Sequence, residues 1–308
     1  MNIVVIGAGA LGAYFGARLQ EAGQSVQFLV RERRAKEIKE NGLKVHSVNG
    51  DYTFDHPRVV QTVEKIENPD LVILAVKGYH LTDTLPLLYP LVDKGAKVLP
   101  VLNGMEHITI LQSELGKDAV LGGAAYIIST LDEKGHVVHS SEMDTLLFGP
   151  LCKSQEPFCE ELQSIVSTAN IDGKNIPTIE EEMWRKYMFI TAMSGVTTAG
   201  DFSIGTIKSC GATKELSKKV LEEMKDLANS YGTSLTEQDI EDGFLKLQSL
   251  PDQATSSMHQ DMRKGLTLEV EHLQGGAIRL AKEAGIDIPH IETLYALIKP
   301  YEKGQVPL

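Results

Sequence analysis

Glycines at positions 7, 9 and 12 stand in the spacing Gly-x-Gly-x-x-Gly, and the hexad Gly7, Ala8, Gly9, Ala10, Leu11, Gly12 directly follows an apolar, β-branched run at 2–6. A helical stretch over 13–22 comes next and is closed by Gly23. Each glycine has its own physical use in such a turn. Gly7 permits the tight bend, Gly9 lets backbone N–H groups approach a pyrophosphate, and Gly12 lets helix pack closely on strand. The phosphates would then meet the positive end of the helix dipole. The strand-turn-helix context separates this dinucleotide reading from that of an ordinary glycine-rich turn.

In an open parallel sheet the ligand crevice lies beyond the carboxyl ends of the strands, so the residue after each strand carries the chemistry. The second strand candidate runs into Arg31-Glu32-Arg33-Arg34. An NAD-selective site would place an acid there for the ribose hydroxyls; Arg31 fits a 2′-phosphate, which predicts NADP(H), although Glu32 could take the ribose role. The run 71–76 ends in Lys77-Gly78 and the run 97–102 in Asn103-Gly104. Lys77 and Asn103 suit contacts to phosphate, ribose and amide groups. Their plain alternatives are a solvated strand terminus and a common turn pair.

The second half offers Glu182-Met183-Trp184-Arg185-Lys186-Tyr187-Met188, whose helical spacing puts Lys186, Ile190, Met193 and Ser194 on one face. A lysine among Trp, Met and Ile is chemically notable, because partial burial lowers an ammonium's pKa toward the range useful for proton donation. The plain alternative is a lysine that snorkels to water or pairs with Glu182. Further on, Ser256-Ser257-Met258 and Leu268-Glu269-Val270-Glu271 flank a break at Gly265. Glu269 is expected in the first turn of a helix over 268–284, as a favourable partner of its dipole.

Two textures position these residues. Over 1–176, short β-branched runs at 3–6, 25–30, 71–76, 97–102, 120–128, 137–139 and 145–148 alternate with helical stretches, among them one over 79–89 that stops at Pro90. This is the pattern of a parallel sheet covered by helices. Over 177–308 long helical patterns take over, and a ligand is expected in the cleft between two domains. The 308 residues suffice for two cores, and the 42% apolar and 23% charged content is globular. A net charge of −12 argues against nucleic acid or anionic membrane as partner. The start of the chain shows no leader pattern and its apolar runs are too short to span a bilayer, so a cytoplasmic location is expected. Cys152, Cys159 and Cys210 form no metal-binding spacing and read as reduced; no metal is expected.

In their order and spacing these motifs resemble the ketopantoate reductase (2-dehydropantoate 2-reductase) family: the GAGALG loop, Arg31, Lys77, Asn103-Gly104-Met105, Trp184-Arg185-Lys186, Thr255-Ser256-Ser257-Met258, Gln260-Asp261 and Glu269. The resemblance covers essentially the whole chain. It implies an α/β fold, with an N-terminal Rossmann-type parallel sheet and a C-terminal all-α domain of the 6-phosphogluconate dehydrogenase type. It also implies NADPH-dependent reduction of a small 2-keto acid, ketopantoate, to (R)-pantoate in pantothenate and coenzyme A synthesis. Lys186 would be the general acid. Residues 7–12, Arg31, Lys77, Asn103, Ile128 and Glu269 would hold the cofactor, and Lys186, Asn103 and Ser257 the substrate. Helical domains of this type often pair, so a homodimer is an open expectation. The chain departs from the family at Ile190, Ser194 and Ile204, where well-studied members carry asparagine. Thr191, Thr197 and Thr198 stand close enough in sequence to substitute. A paralogue acting on another branched 2-keto acid, or a non-catalytic NADP(H)-binding sensor, are the rival readings.

Overall fold

The computed structural model describes residues 1–54 and 56–304. Two compact units emerge: Met1–Leu102 with His107–Ile179, and Asn103–Glu106 with Glu180–Leu308.

The first unit is built on two sheets. Its strands and helices are β1 (Asn2–Ile6), α1 (Ala10–Glu21), β2 (Ser25–Leu29), α2 (Glu32–Asn41), β3 (Leu43–Ser47), β4 (Tyr52–Phe54), β5 (Arg58–Val60), β6 (Leu71–Leu74), α3 (Leu81–Asp93), β7 (Lys97–Pro100), α4 (Glu106–Leu115), β8 (Gly122–Leu131), β9 (Val137–Gly149), α5 (Glu156–Val166) and β10 (Asp172–Asn175). The first sheet has the order β5-β2-β1-β6-β7 and every pairing in it is parallel. Its central strands are apolar on both faces, with Ile3, Val4, Val5, Leu71, Val72, Ile73 and Leu74 fully buried, as a sheet covered on both sides requires. From β1 the chain moves outward to β2 on one side and later to β6 on the other, so the topological switch point falls at the end of β1. That is where the glycine loop stands.

Three features depart from the sequence reading. A second, mixed sheet, β10-β9-β3-β4 with β8 on β9, uses the short strands at 43–47, 52–54 and 172–175 and joins the two runs at 137–139 and 145–148 into one strand. The pairing of β3 with β9 spans a long sequence separation, and β3 and β4 are too short and polar to stand out alone. The helix α3 does not stop before Pro90 but runs through Pro86 and Pro90. Only the bond from position 90 back to the Pro86 carbonyl is lost to the second ring, and Pro86 lies on the exposed face, where water can serve that carbonyl.

The second unit is helical: α6 (Ile179–Gly200, its first residue grouped with the first unit), α7 (Ile204–Ser209), α8 (Gly211–Ser230), α9 (Glu237–Ser249), α10 (Ser257–Arg263), α11 (Gln274–Ala284) and α12 (Pro289–Ile298). Buried Trp184 stacks on Tyr231 with ring centroids 5.6 Å apart, and Arg185 donates to Asp239 at 2.7 Å, fixing the rotation of α6 within this unit. The third departure is here. The helix expected over 268–284 begins only at Gln274, because Gly275 N–H reaches back to the Val270 carbonyl at 2.9 Å, a turn one residue wider than α-helical. Glu269 therefore lies in the turn before α11 and not in its first turn.

Candidate active site

In the first unit the glycine loop is shaped by contact as well as by flexibility. Gly7 has φ +94°, and a Cβ there would sit 2.6 Å from the Ala75 carbonyl oxygen. A Cβ on Gly12 would sit 2.2 Å from the Gly7 carbonyl oxygen. Gly9 differs: nothing lies within 4 Å of where its Cβ would be. It is the N-cap of α1, no side chain caps that helix, and no acid occupies its first turn. The start of α1 is thus uncapped by any side chain and unobstructed at Gly9, which fits the pyrophosphate of a dinucleotide.

Arg31 is the N-cap of α2 and is exposed, just past the end of β2. It stands near enough to His80 that the two cations repel: burial, then the Arg31 charge, hold the His80 imidazole below its usual pKa. Lys77 is half-buried and leads into the turn at Gly78–His80, three residues beyond β6. The carboxyl edge therefore gathers positive charge near the glycine loop, as an anionic cofactor needs. Ile128 lies in the second sheet at a bulge of β8, where the register with β9 shifts between Ile127 and Ser129; its side chain is 57% exposed. The bulge takes its backbone out of the ladder.

One residue of this region escaped sequence reasoning. Arg34 donates from Nε to the Ala8 carbonyl at 2.9 Å and from Nη1 to Glu37 at 3.1 Å, while its Nη2 is buried without a hydrogen-bond partner. The arginine run was visible, but only its first member stood out by position.

In the second unit, Lys186 and Glu269 are both buried, with 8% and 6% of their surface exposed. Lys186 does not snorkel to water, and Glu182 accepts from Arg185 at 2.6 Å. Burial pulls the Lys186 ammonium down to about 8; the Glu269 carboxylate pushes back, and the Lys246 charge adds to the lowering. Asn103 is half-buried and belongs to this unit, not to the sheet that precedes it in sequence. The next residue, Gly104, has φ +93° and packs its Cα against the His272 carbonyl and the Tyr187 ring. Segment 103–106, the Glu269 turn and the lysine helix are thus brought together.

Ser257 is exposed in the first turn of α10, whose N-cap Ser256 accepts from His259 N–H at 3.1 Å. The Ser256 hydroxyl also meets Thr197 Oγ1 at 2.8 Å, tying the start of α10 to the lysine helix. His259, fully buried, bonds Asp201 at 2.6 Å and Thr255 at 2.5 Å.

Of the three threonines near enough in sequence to replace the family's asparagines, two point away from Lys186 and the third is already hydrogen-bonded. At 100° per residue, Thr191 and Thr198 point about 140° and 120° away from it. Thr197 lies on the lysine face, yet its oxygen is engaged by Ser256 and by the Met193 carbonyl at 2.7 Å. Ile190 and Met193 occupy that face, and Ile204 is fully buried in the core. Among the described residues no group of three or more His, Cys, Asp or Glu could hold a metal ion, and no helix is long and apolar enough to cross a membrane.

A parallel sheet with a glycine loop at its switch point, and a helical unit with a buried lysine whose charge a buried carboxylate favours, are the parts of a dinucleotide-type oxidoreductase. Residues 3–152 match the family model described as ketopantoate reductase PanE/ApbA, and residues 178–302 match that of its C-terminal part. The chain belongs to this family. It is 33% identical over 302 residues to the uncharacterized oxidoreductase YkpB of Bacillus subtilis, covering 98% of this chain and 99% of that one. Identity to a 2-dehydropantoate 2-reductase of Nostoc is 26% over 303 residues, with 96% and 93% covered. The crystal structure of 2-dehydropantoate 2-reductase from Geobacter metallireducens superposes with a TM-score of 0.90 at 28% identity, covering 97% of this chain and 99% of that one.

Proposed function

We propose that this oxidoreductase reduces ketopantoate to (R)-pantoate with NADPH. The observation that carries the reading is the buried Lys186, held at about 8 in the same unit as buried Glu269. A general acid works best with a pKa near the operating pH, and burial brings this lysine there. Bound at the glycine loop, the reduced nicotinamide would supply the hydride to the ketone carbon. Lys186 Nζ gives its proton to the ketone oxygen as negative charge develops on it, becomes neutral, and is reprotonated from solvent. Glu269 favours the charged lysine before the proton moves. Asn103, carried by the segment that packs on Tyr187, orients the carbonyl, and Ser257 binds the substrate. Arg31 at the end of β2 supports NADPH over NADH, since a guanidinium pairs with a 2′-phosphate. On the same reading the enzyme acts in the cytoplasm, in pantothenate and coenzyme A synthesis.

A second reading is favoured by Ile190 and Met193 on the lysine face. Ile190 stands where an amide is expected and Met193 lies beside it, and Ile204 stands at another such position, so the substrate would be a more apolar branched 2-keto acid. A hydrogen-bonding site that loses a donor gives up about 1–3 kcal/mol per unmatched polar group of its substrate. Turnover with NADPH across a panel of 2-keto acids separates the two. A maximum on ketopantoate supports the first, a clear maximum on a more apolar acid supports the second, and no NADPH consumption with any overturns both.

A further inference from the structure

We infer that Arg279 is a positioning residue, which fixes Asn103 against the Glu269 turn by clamping Glu106. The inference rests on the proposed function for the role of Asn103, while the clamp stands on geometry. Arg279, on α11, donates from Nε and Nη2 to the two carboxylate oxygens of Glu106 at 2.6 and 2.8 Å. The same guanidinium bonds the Glu271 carboxylate and, at 2.8 Å, the Glu271 backbone carbonyl. Glu271 in turn accepts from Tyr295 at 2.9 Å and from Lys299 at 2.5 Å. One arginine thus holds both the segment 103–106 and the turn that carries Glu269.

An exposed ion pair ordinarily adds little stability, and Arg279 is 44% exposed in its side chain. A two-pronged pair within a network is different, because the planar fork fixes orientation as well as distance. The second anchor is Gly104, whose backbone closes on the His272 carbonyl; a Cβ there would stand 3.1 Å from that oxygen. With Gly104 and Glu106 both held, Asn103 immediately before them has little freedom. The Tyr187 hydroxyl donates to the Leu273 carbonyl at 2.5 Å, so the helix of Lys186 is fastened to the same turn. Lys186, Glu269 and Asn103 are each one residue or a few from an atom of this network. Misplacing a catalytic group by about 1 Å can cost on the order of 100-fold in rate.

The test is a double-mutant cycle on keto-acid reduction with NADPH, using Arg279→Met, Asn103→Ala and the double variant, with Arg279→Lys as the conservative change. Arg279→Met is expected to lower kcat about 10- to 100-fold. Arg279→Lys recovers part of the loss, and adding Arg279→Met to Asn103→Ala costs less than about twofold more, because residues acting through one another are not additive. Effects that multiply, or a kcat unchanged in Arg279→Met, overturn the inference. Should Arg279→Met fail to fold, Glu106→Gln enters the same cycle. Hydrogen exchange at residues 103–106 is read in parallel: the amides should exchange faster in either variant, and unchanged protection also overturns the clamp. A parent enzyme that turns over no keto acid defeats the proposed function, and the clamp is then judged on exchange.

Discussion

Arg34 Nε donates to the Ala8 carbonyl at 2.9 Å, so the helix after β2 is tied directly to the loop expected to hold pyrophosphate. Arg31, three residues earlier, is exposed, and among the described residues no hydrogen bond ties its side chain to this loop. The two arginines should separate in a binding experiment. Arg31→Ala should weaken NADPH at least tenfold, about 1.4 kcal/mol, and leave NADH within about twofold. Arg34→Met acts through the loop and should weaken both cofactors alike. Titration of each variant with NADPH and NADH reads this directly. Equal losses in Arg31→Ala would remove the 2′-phosphate assignment.

Reduction should require charged Lys186. With its ammonium at about 8, the reductive kcat is expected to fall as pH rises through that value, and the reverse oxidation to rise over the same interval. Lys246 helps hold Lys186 down, so Lys246→Gln should move the limb upward, by less than about one unit. Lys186→Ala should lose about 100-fold or more of kcat. The pH profiles of parent and variants are the measurement, and a limb unmoved by Lys246→Gln together with turnover within tenfold in Lys186→Ala would show that another group donates the proton.

The glycines make an internal control. Gly9 has room for a side chain and an ordinary φ of −72°, so Gly9→Ala should cost less than about 1 kcal/mol of stability yet weaken cofactor binding at least about tenfold. At Gly12 the added carbon would strike the Gly7 backbone, and Gly12→Ala should cost about 2 kcal/mol or more. Thermal unfolding and NADPH titration on the two proteins check both halves. Tight NADPH binding by Gly9→Ala would contradict the pyrophosphate reading.

What could be read in the sequence follows from how local its cause is. The parallel strands at 2–6, 25–29, 71–74 and 97–100 are runs of buried apolar residues, and the glycine loop announces itself by spacing. The runs at 120–128, 137–139 and 145–148 were legible as strands, but not that they form a second sheet, because Val45 pairs with Val137 and no local pattern in Leu43–Ser47 says so. The helix at 268–284 was read too long because Leu268, Val270 and Leu273 are buried in a turn, where they mimic helical periodicity. Whether Lys186 is solvated or buried depends on tertiary packing, so the sequence left it open; the structure buries it. Asn103 joined the second unit through Glu106 and Arg279, residues 173 apart. The threonines near Lys186 looked able to replace missing asparagines until helical direction and the Ser256 contact were known.

The measurement that bears most directly on this account is the steady-state rate of ketopantoate reduction with NADPH and with NADH. Saturable turnover with NADPH, preferred over NADH at least tenfold in kcat/KM, is the expected result. No turnover with either cofactor, or a preference for NADH, would contradict it.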